Sequence, residues 1–111
     1  MKRSFLFIGY DPSIKEELTD FVLNKGGKIY FANSSEESIE FLTATRIDTV
    51  ILMLHKLMDA AILKYINQYH PEIKVLIYAT KEYDDIIKVL SKGSFSILNQ
   101  PLKLKELSSF I

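Results

Sequence analysis

The sequence predicts an α/β fold: five βα units forming a three-layer sandwich, with a parallel five-stranded sheet in the order 2-1-3-4-5 between two layers of helices. Three observations point there. Short apolar runs alternate with helix-period stretches along the whole chain. The runs around Val50 to Leu54 and Val75 to Ala79 are continuously apolar, which suits strands buried on both faces of a parallel sheet. Glycine, proline and capping residues fall between runs and stretches, where the chain must turn. Strands separated by helices are normally joined by right-handed crossovers, and the doubly wound order 2-1-3-4-5 is the arrangement expected of five such units.

Taken in order, Ser4 to Ile8 is a β-rich run that stops at Gly9. Asp11-Pro12-Ser13 opens a helix, with Asp11 placed to cap free N–H groups and Pro12 suited to the first turn. Ile14, Leu18, Phe21 and Val22 then form one buried stripe, and Gly26-Gly27 ends the helix. Lys28 to Ala32 is the second strand. Asn33-Ser34, followed by Glu36 and Glu37, opens the second helix with acids where its dipole favours them, and Ile39 and Leu42 are its core contacts. Asp48 leads into the strand Thr49 to Leu54. A third helix is expected from about Met58 to Tyr69, stopping at His70-Pro71. Ile73 to Ala79 is the fourth strand, Glu82 to Lys92 the fourth helix closed by Gly93, and Phe95 to Leu98 the fifth strand. Gln100-Pro101 makes a turn before a short final helix, Leu102 to Ile111.

Composition narrows the function. A chain of 111 residues fits one domain, and 48% hydrophobic residues suffice to bury a core without disulfides or metals. No cysteine is present, so thiol nucleophiles and thiolate metal sites are excluded. Fourteen basic and fourteen acidic residues cancel, which removes the bulk attraction that nucleic-acid binders and anionic-membrane binders use. The apolar run after Met1-Lys2-Arg3 is too short for a signal peptide or a membrane span. Functional groups in such sheets gather at the carboxyl ends of the strands. Those ends are Gly9-Tyr10-Asp11, Met53-Leu54-His55, Ala79-Thr80 and Asn99-Gln100.

Five stretches, in their order and spacing, resemble the receiver domain of response regulators. They are Asp11-Pro12-Ser13-Ile14-Lys15-Glu16, Gly27 to Ala32, Asp48 to Leu52, His70 to Ile77, and Lys92 to Leu102. The resemblance covers nearly the whole chain and implies a flavodoxin-like fold, a single receiver-like domain over 1–111, and a place in two-component signalling. It also implies a site. In that family an aspartate at the end of the third strand takes a phosphoryl group, and two acids after the first strand help hold Mg²⁺. A Ser or Thr after the fourth strand and a Lys before the proline contact the phosphoryl oxygens. The peptide before that proline is usually cis, so a cis Gln100-Pro101 bond is expected.

Carried over position by position, the acidic pair falls on Gly9 and Tyr10, the phosphoacceptor on Met53, the Ser/Thr on Ala79 and the Lys on Gln100. Thr80 substitutes for Ala79 if the register slips by one. Asp11 alone keeps an acid nearby, and it reads better as a helix cap than as a metal ligand. A thioether accepts no phosphoryl group, so the family's reaction is not expected here. Tyr10 either senses the pocket or fills the space the acids leave, and Met53 plugs it as apolar packing. His55, Lys56 and Lys81 lie on loops beside the site. His55 is either a plain loop residue or a phosphoacceptor, metal ligand or pH switch, and Lys56 and Lys81 are either solvated loop charges or groups that attract an anion.

The expected function is therefore that of a pseudo-receiver: no enzyme, no cofactor, no metal, and action by phosphorylation-independent protein–protein contact in the cytoplasm. The partner would be a signalling kinase, an output module, another regulator or a second copy of the chain. In receivers the fourth helix, fifth strand and fifth helix form the usual contact face, which falls here on Tyr83, Ile87, Val89, Leu90, Phe95 and Ile97. Tyr83, Ile86, Ile87 and Leu90 also form an apolar stripe that packing on the sheet would explain. The family's switching aromatic falls on Ile97. The short final helix fits the N-terminal domain of a longer regulator. The alternative reading is a small-molecule or anion sensor binding over Gly9, His55, Lys56 and Lys81. An enzyme of another flavodoxin-like family ranks last, because no Gly-rich phosphate loop, paired carboxylates or nucleophile–base pair supports it.

Overall fold

The computed structural model describes residues 3–9, 15–53, 61–79 and 95–99, with residue 79 and the last segment described by backbone course alone. The elements are β1 (Ser4–Ile8), α1 (Lys15–Asn24), β2 (Lys28–Ala32), α2 (Ser35–Ala44), β3 (Thr49–Met53), α3 (Ala61–Tyr69), β4 (Lys74–Ala79) and β5 (Phe95–Asn99). The strands form one five-stranded sheet in the order β2-β1-β3-β4-β5, and every pair is parallel. This is the expected topology. The expected fourth and final helices, and the residues 58–60 that would open the third, lie outside the described residues.

Period-two alternation of the strands builds two cores, one on each face of the sheet. Leu6, Ile8, Val50, Leu52, Val75 and Ile77 point to one face, where Leu42 of α2 and Ile62, Leu63 and Ile66 of α3 cover them. Phe5, Phe7, Ile51, Met53, Leu76 and Tyr78 point to the other, where Leu18 and Val22 of α1 lie. Every residue of β3 is buried. That accounts for the apolar run over residues 50–53: each fully buried aliphatic side chain stabilises by about 1.5–3 kcal/mol, and neither face of the strand is wet.

Local chemistry sets the element ends. Gly26 at φ 78° closes α1. The Gly27 N–H donates to Val22 O at 3.0 Å and the Gly26 N–H to Leu23 O at 3.0 Å, the paired bonds of a Schellman end. Gly27 also has no room for a side chain: a Cβ there would stand 3.0 Å from the Phe5 ring and from Val22 Cγ1. Ser34 caps α2, its hydroxyl accepting the Glu37 N–H at 3.1 Å, as the sequence suggested. The buried Ser38 hydroxyl is satisfied within the same helix, donating to Ser34 O at 2.7 Å. β4 begins one residue later than expected because the Ile73 N–H is spent on His70 O in the preceding turn. β5 runs one residue further, since backbone pairing carries the ladder to Ala79 and Asn99.

Candidate functional site

The sheet brings the carboxyl ends of its strands into one row. Ile8 pairs with Leu52, so Gly9 lies one step past that pair, on the level of Met53. Met53 pairs with Tyr78, and Ala79 with Asn99. Gly9 prolongs β1 in the ladder, its N–H donating to Ala32 O at 3.0 Å, and then turns at φ 71°. A positive φ is easily adopted only by glycine, so the residue suits the turn that leaves the sheet here. Three of the positions singled out in the sequence, Gly9, Met53 and Ala79, thus meet at this edge. Tyr10, Asp11, Thr80, Gln100 and the Gln100-Pro101 peptide lie outside the described residues, as do His55, Lys56, Lys81, Tyr83, Ile87, Val89 and Leu90. Phe95 and Ile97 belong to β5, at the edge of the sheet beyond β4.

Met53 decides what the described part of this edge can do. Its side chain is 5% exposed and belongs to the apolar cluster of Phe7, Ile51, Leu76 and Tyr78. A thioether offers no nucleophile to a phosphoryl group and only a weak acceptor to a cation. Mg²⁺ demands oxygen ligands in near-octahedral geometry, and the glycine and buried methionine found here do not fit it. Among the described residues, no group of three or more His, Asp or Glu is arranged to hold a metal ion.

Tyr78 was not singled out in the sequence, yet it lies beside Met53 in the same row with its side chain 0% exposed. Counting back from the end of β4 would have placed it on the Met53 face, since alternate residues of adjacent parallel strands share a face. The pair fills the space beneath the edge with a flexible thioether and a large ring.

A second recess lies at the opposite, amino edge of the sheet. It has a volume of about 260 Å³ and is formed where α2 ends, β3 begins and α3 turns into β4. Asp48 is its best-anchored side chain. Asp48 Oδ2 accepts the Ser4 N–H at 2.8 Å, while the backbone of Asp48 exchanges a further bond with Ser4 (Asp48 N–H to Ser4 O, 2.9 Å) and accepts the Lys74 N–H at 3.2 Å. One residue therefore ties the first turns of β1, β3 and β4 together. Arg46 Nε lies 3.8 Å from Asp48 Oδ1, with the arginine side chain 81% exposed.

The architecture is that of response-regulator receiver domains. The signal receiver domain of an HD domain-containing protein from Pseudomonas fluorescens Pf-5 matches with a TM-score of 0.83 at 20% identity, over 98% of this chain and 90% of that one. A CheY-like response regulator receiver domain protein from Methanospirillum hungatei JF-1 matches with a TM-score of 0.82 at 11% identity, over 99% and 90%. The response regulator TrrA of Thermotoga maritima, solved in complex with Mg²⁺-BeF, matches with a TM-score of 0.75 at 20% identity, over 99% and 96%. No protein-family model matches the sequence, and no curated protein sequence does. At these identities the likeness is one of fold, and function has to be argued from the residues. No helix among the described residues is long and apolar enough to cross a membrane.

Proposed function

We propose that this chain is a signalling domain of the receiver type that has given up phosphoryl transfer and acts by contact with other proteins. The observation that carries the reading is Met53. At the end of β3, where the receiver resemblance puts the phosphoacceptor, stands a thioether buried beside Tyr78. Gly9 takes one of the two positions of the acidic pair and Ala79 the position of the phosphoryl-contacting hydroxyl. Tyr10 and Gln100 complete the departure in sequence, leaving Asp11 as the nearby acid. With no acceptor and no acidic pair, a phosphorylated state has nowhere to form, and binding alone remains for the output. The face assigned to a partner is the one that the receiver resemblance implies, which falls in the sequence on Tyr83, Ile87, Val89, Leu90, Phe95 and Ile97. The partner is a protein of a signalling pathway: a kinase, an output module, another regulator or a second copy of this chain.

The test is a titration with Mg²⁺ and beryllofluoride followed by amide NMR. The expected result is no saturable shift at Tyr10, Met53 or Gln100. A saturable shift there, abolished by Asp11→Ala, would overturn the reading, because it would mean that a rebuilt acidic site still senses the phosphoryl mimic.

A further inference from the structure

β2 stands at the end of the sheet, bonded to β1 on one side and to no described strand on the other. Its first and last residues bond inward: the Lys28 N–H donates to Arg3 O at 2.8 Å, and Ala32 O accepts the Gly9 N–H at 3.0 Å. Backbone groups alternate sides along a strand, so Ile29 turns its N–H and C=O away from β1, toward the outer side. Protein sheets usually blunt such an edge with proline, a bulge or several charges. β2 has no proline and no bulge in its register with β1, and its one charge is Lys28. Ile29, Tyr30 and Phe31 are half-buried, and the Tyr30 ring meets Phe41 of α2 at 5.5 Å. Charge is divided along this edge. Residues 21–32 hold Lys25 and Lys28 and no acid, whereas residues 15–20 and 33–40 together hold six acids and one lysine. Glu16, Glu17, Glu36 and Glu37 open α1 and α2 at the carboxyl end of β2, while Lys25 and Lys28 flank its amino end. Lys15 lies over the Phe31 ring at 5.0 Å and Lys25 over the Phe21 ring at 5.7 Å.

We infer that β2 is a dimerisation edge, taken up by the β2 of a second copy of this chain running antiparallel across a twofold axis. At the centre the two Ile29 residues face each other, and the N–H of each donates to the C=O of the other. The axis sets the basic end of one edge beside the acidic end of its counterpart, and repeats that match on the other side. Glu37 lies one turn before Phe41, on the flank of α2 that borders β2, so it is the acid placed to meet Lys28 of the second copy. Parallel addition would set like ends together, and a uniformly basic or acidic partner would be repelled at one end. The charge pattern therefore selects a second copy. The dimer leaves β5 at the far edge of each copy, and so stands apart from the partner face that the receiver resemblance implies.

The test follows the whole chain by sedimentation velocity and amide NMR over a wide range of concentration. A concentration-dependent dimer is expected, with shifts centred on Ile29 and Tyr30 and slower exchange of the Ile29 amide. Lys28→Glu and Glu37→Lys should each weaken it about 5- to 30-fold, because the axis repeats every like-charge contact. Both positions are exposed. Glu37→Lys gives up a 3.4 Å contact with the Asn33 N–H, and Ser34 still caps α2, so circular dichroism should show the fold kept. Mixing the two variants should restore association as a heterodimer, since both contacts then join opposite charges. A chain that stays monomeric at every concentration, a dimer indifferent to both changes, no recovery on mixing, or shifts that fall on Phe95 and Ile97 of β5 instead would overturn the inference. None of these outcomes bears on phosphoryl transfer, which the beryllofluoride titration tests separately.

Discussion

Replacing Asp48 by alanine should destabilise the fold more than any other single change of an acidic side chain among the described residues. The carboxylate accepts the Ser4 N–H at 2.8 Å in a charge-assisted bond that ties β1 to the start of β3. Such bonds contribute about 1.5–3 kcal/mol. The side chain is 34% exposed, so water recovers part of the loss and about 1–2 kcal/mol should remain. The Arg46 contact adds little, because the guanidinium is 81% exposed and the separation is 3.8 Å. Urea unfolding followed by circular dichroism would read the difference directly, and the melting temperature should fall by about 4 °C for each kcal/mol lost. Asp48→Asn keeps a neutral acceptor and should recover roughly half of the loss. Arg46→Ala should stay within about 0.5 kcal/mol of the parent. The reasoning fails if Asp48→Ala is as mild as Arg46→Ala, or if exchange of the Ser4 amide is no faster in Asp48→Ala than in the parent.

Other substitutions test the packing and the helix ends. Met53→Ala should cost about 2–5 kcal/mol by opening a cavity between Phe7 and Tyr78, whereas Met53→Leu should cost less than about 1.5 kcal/mol; equal losses in urea unfolding would contradict the packing described. Gly27→Ala should cost about 1–3 kcal/mol, because its methyl would meet the Phe5 ring and Val22 at 3.0 Å; a neutral result in thermal unfolding would show that α1 shifts freely against the sheet. Ser34→Ala should cost about 0.5–2 kcal/mol through loss of the cap on the Glu37 N–H, with faster amide exchange confined to the first turn of α2. Exchange accelerated across the whole helix would instead implicate the Ser38 contact with the Ser34 backbone.

Sheet order and both cores could be read from the sequence because residues 50–53 of β3 and 75–79 of β4 are apolar without interruption and the helices between strands keep a 3.6 period. The cap at Ser34 and the stop at Gly26-Gly27 were legible because capping chemistry is local. What escaped was non-local. Asp48 reads as a polar residue leading into a strand, since its partner Ser4 lies far away along the chain and meets it only after a crossover. Tyr78 reads as one more strand residue until its register with Met53 is known. Ile73 reads as the first residue of β4 by its apolarity, although its N–H serves the turn. The amino-edge recess is assembled from the ends of two helices, and no segment of sequence contains it. At the carboxyl edge, Gly9, Met53 and Ala79 came together as the spacing implied, because strand ends in a parallel sheet are aligned by its hydrogen-bond ladder.

The two-sided burial of β1 has a consequence for how the chain reaches this state. Phe5 to Ile8 are covered on both faces and hydrogen-bonded on both flanks, yet neither flanking strand adjoins β1 in sequence: β2 comes after a helix, and β3 after a further βα unit. As the polypeptide is synthesised, one of its most apolar stretches emerges ahead of both its partners and must wait for the second until Thr49 to Leu52 have followed. Through that interval it has an open edge and an uncovered face, the combination that invites pairing with other chains. Closing the sheet around β1 thus depends on contacts distant in sequence, which slows assembly relative to a helical bundle of the same size.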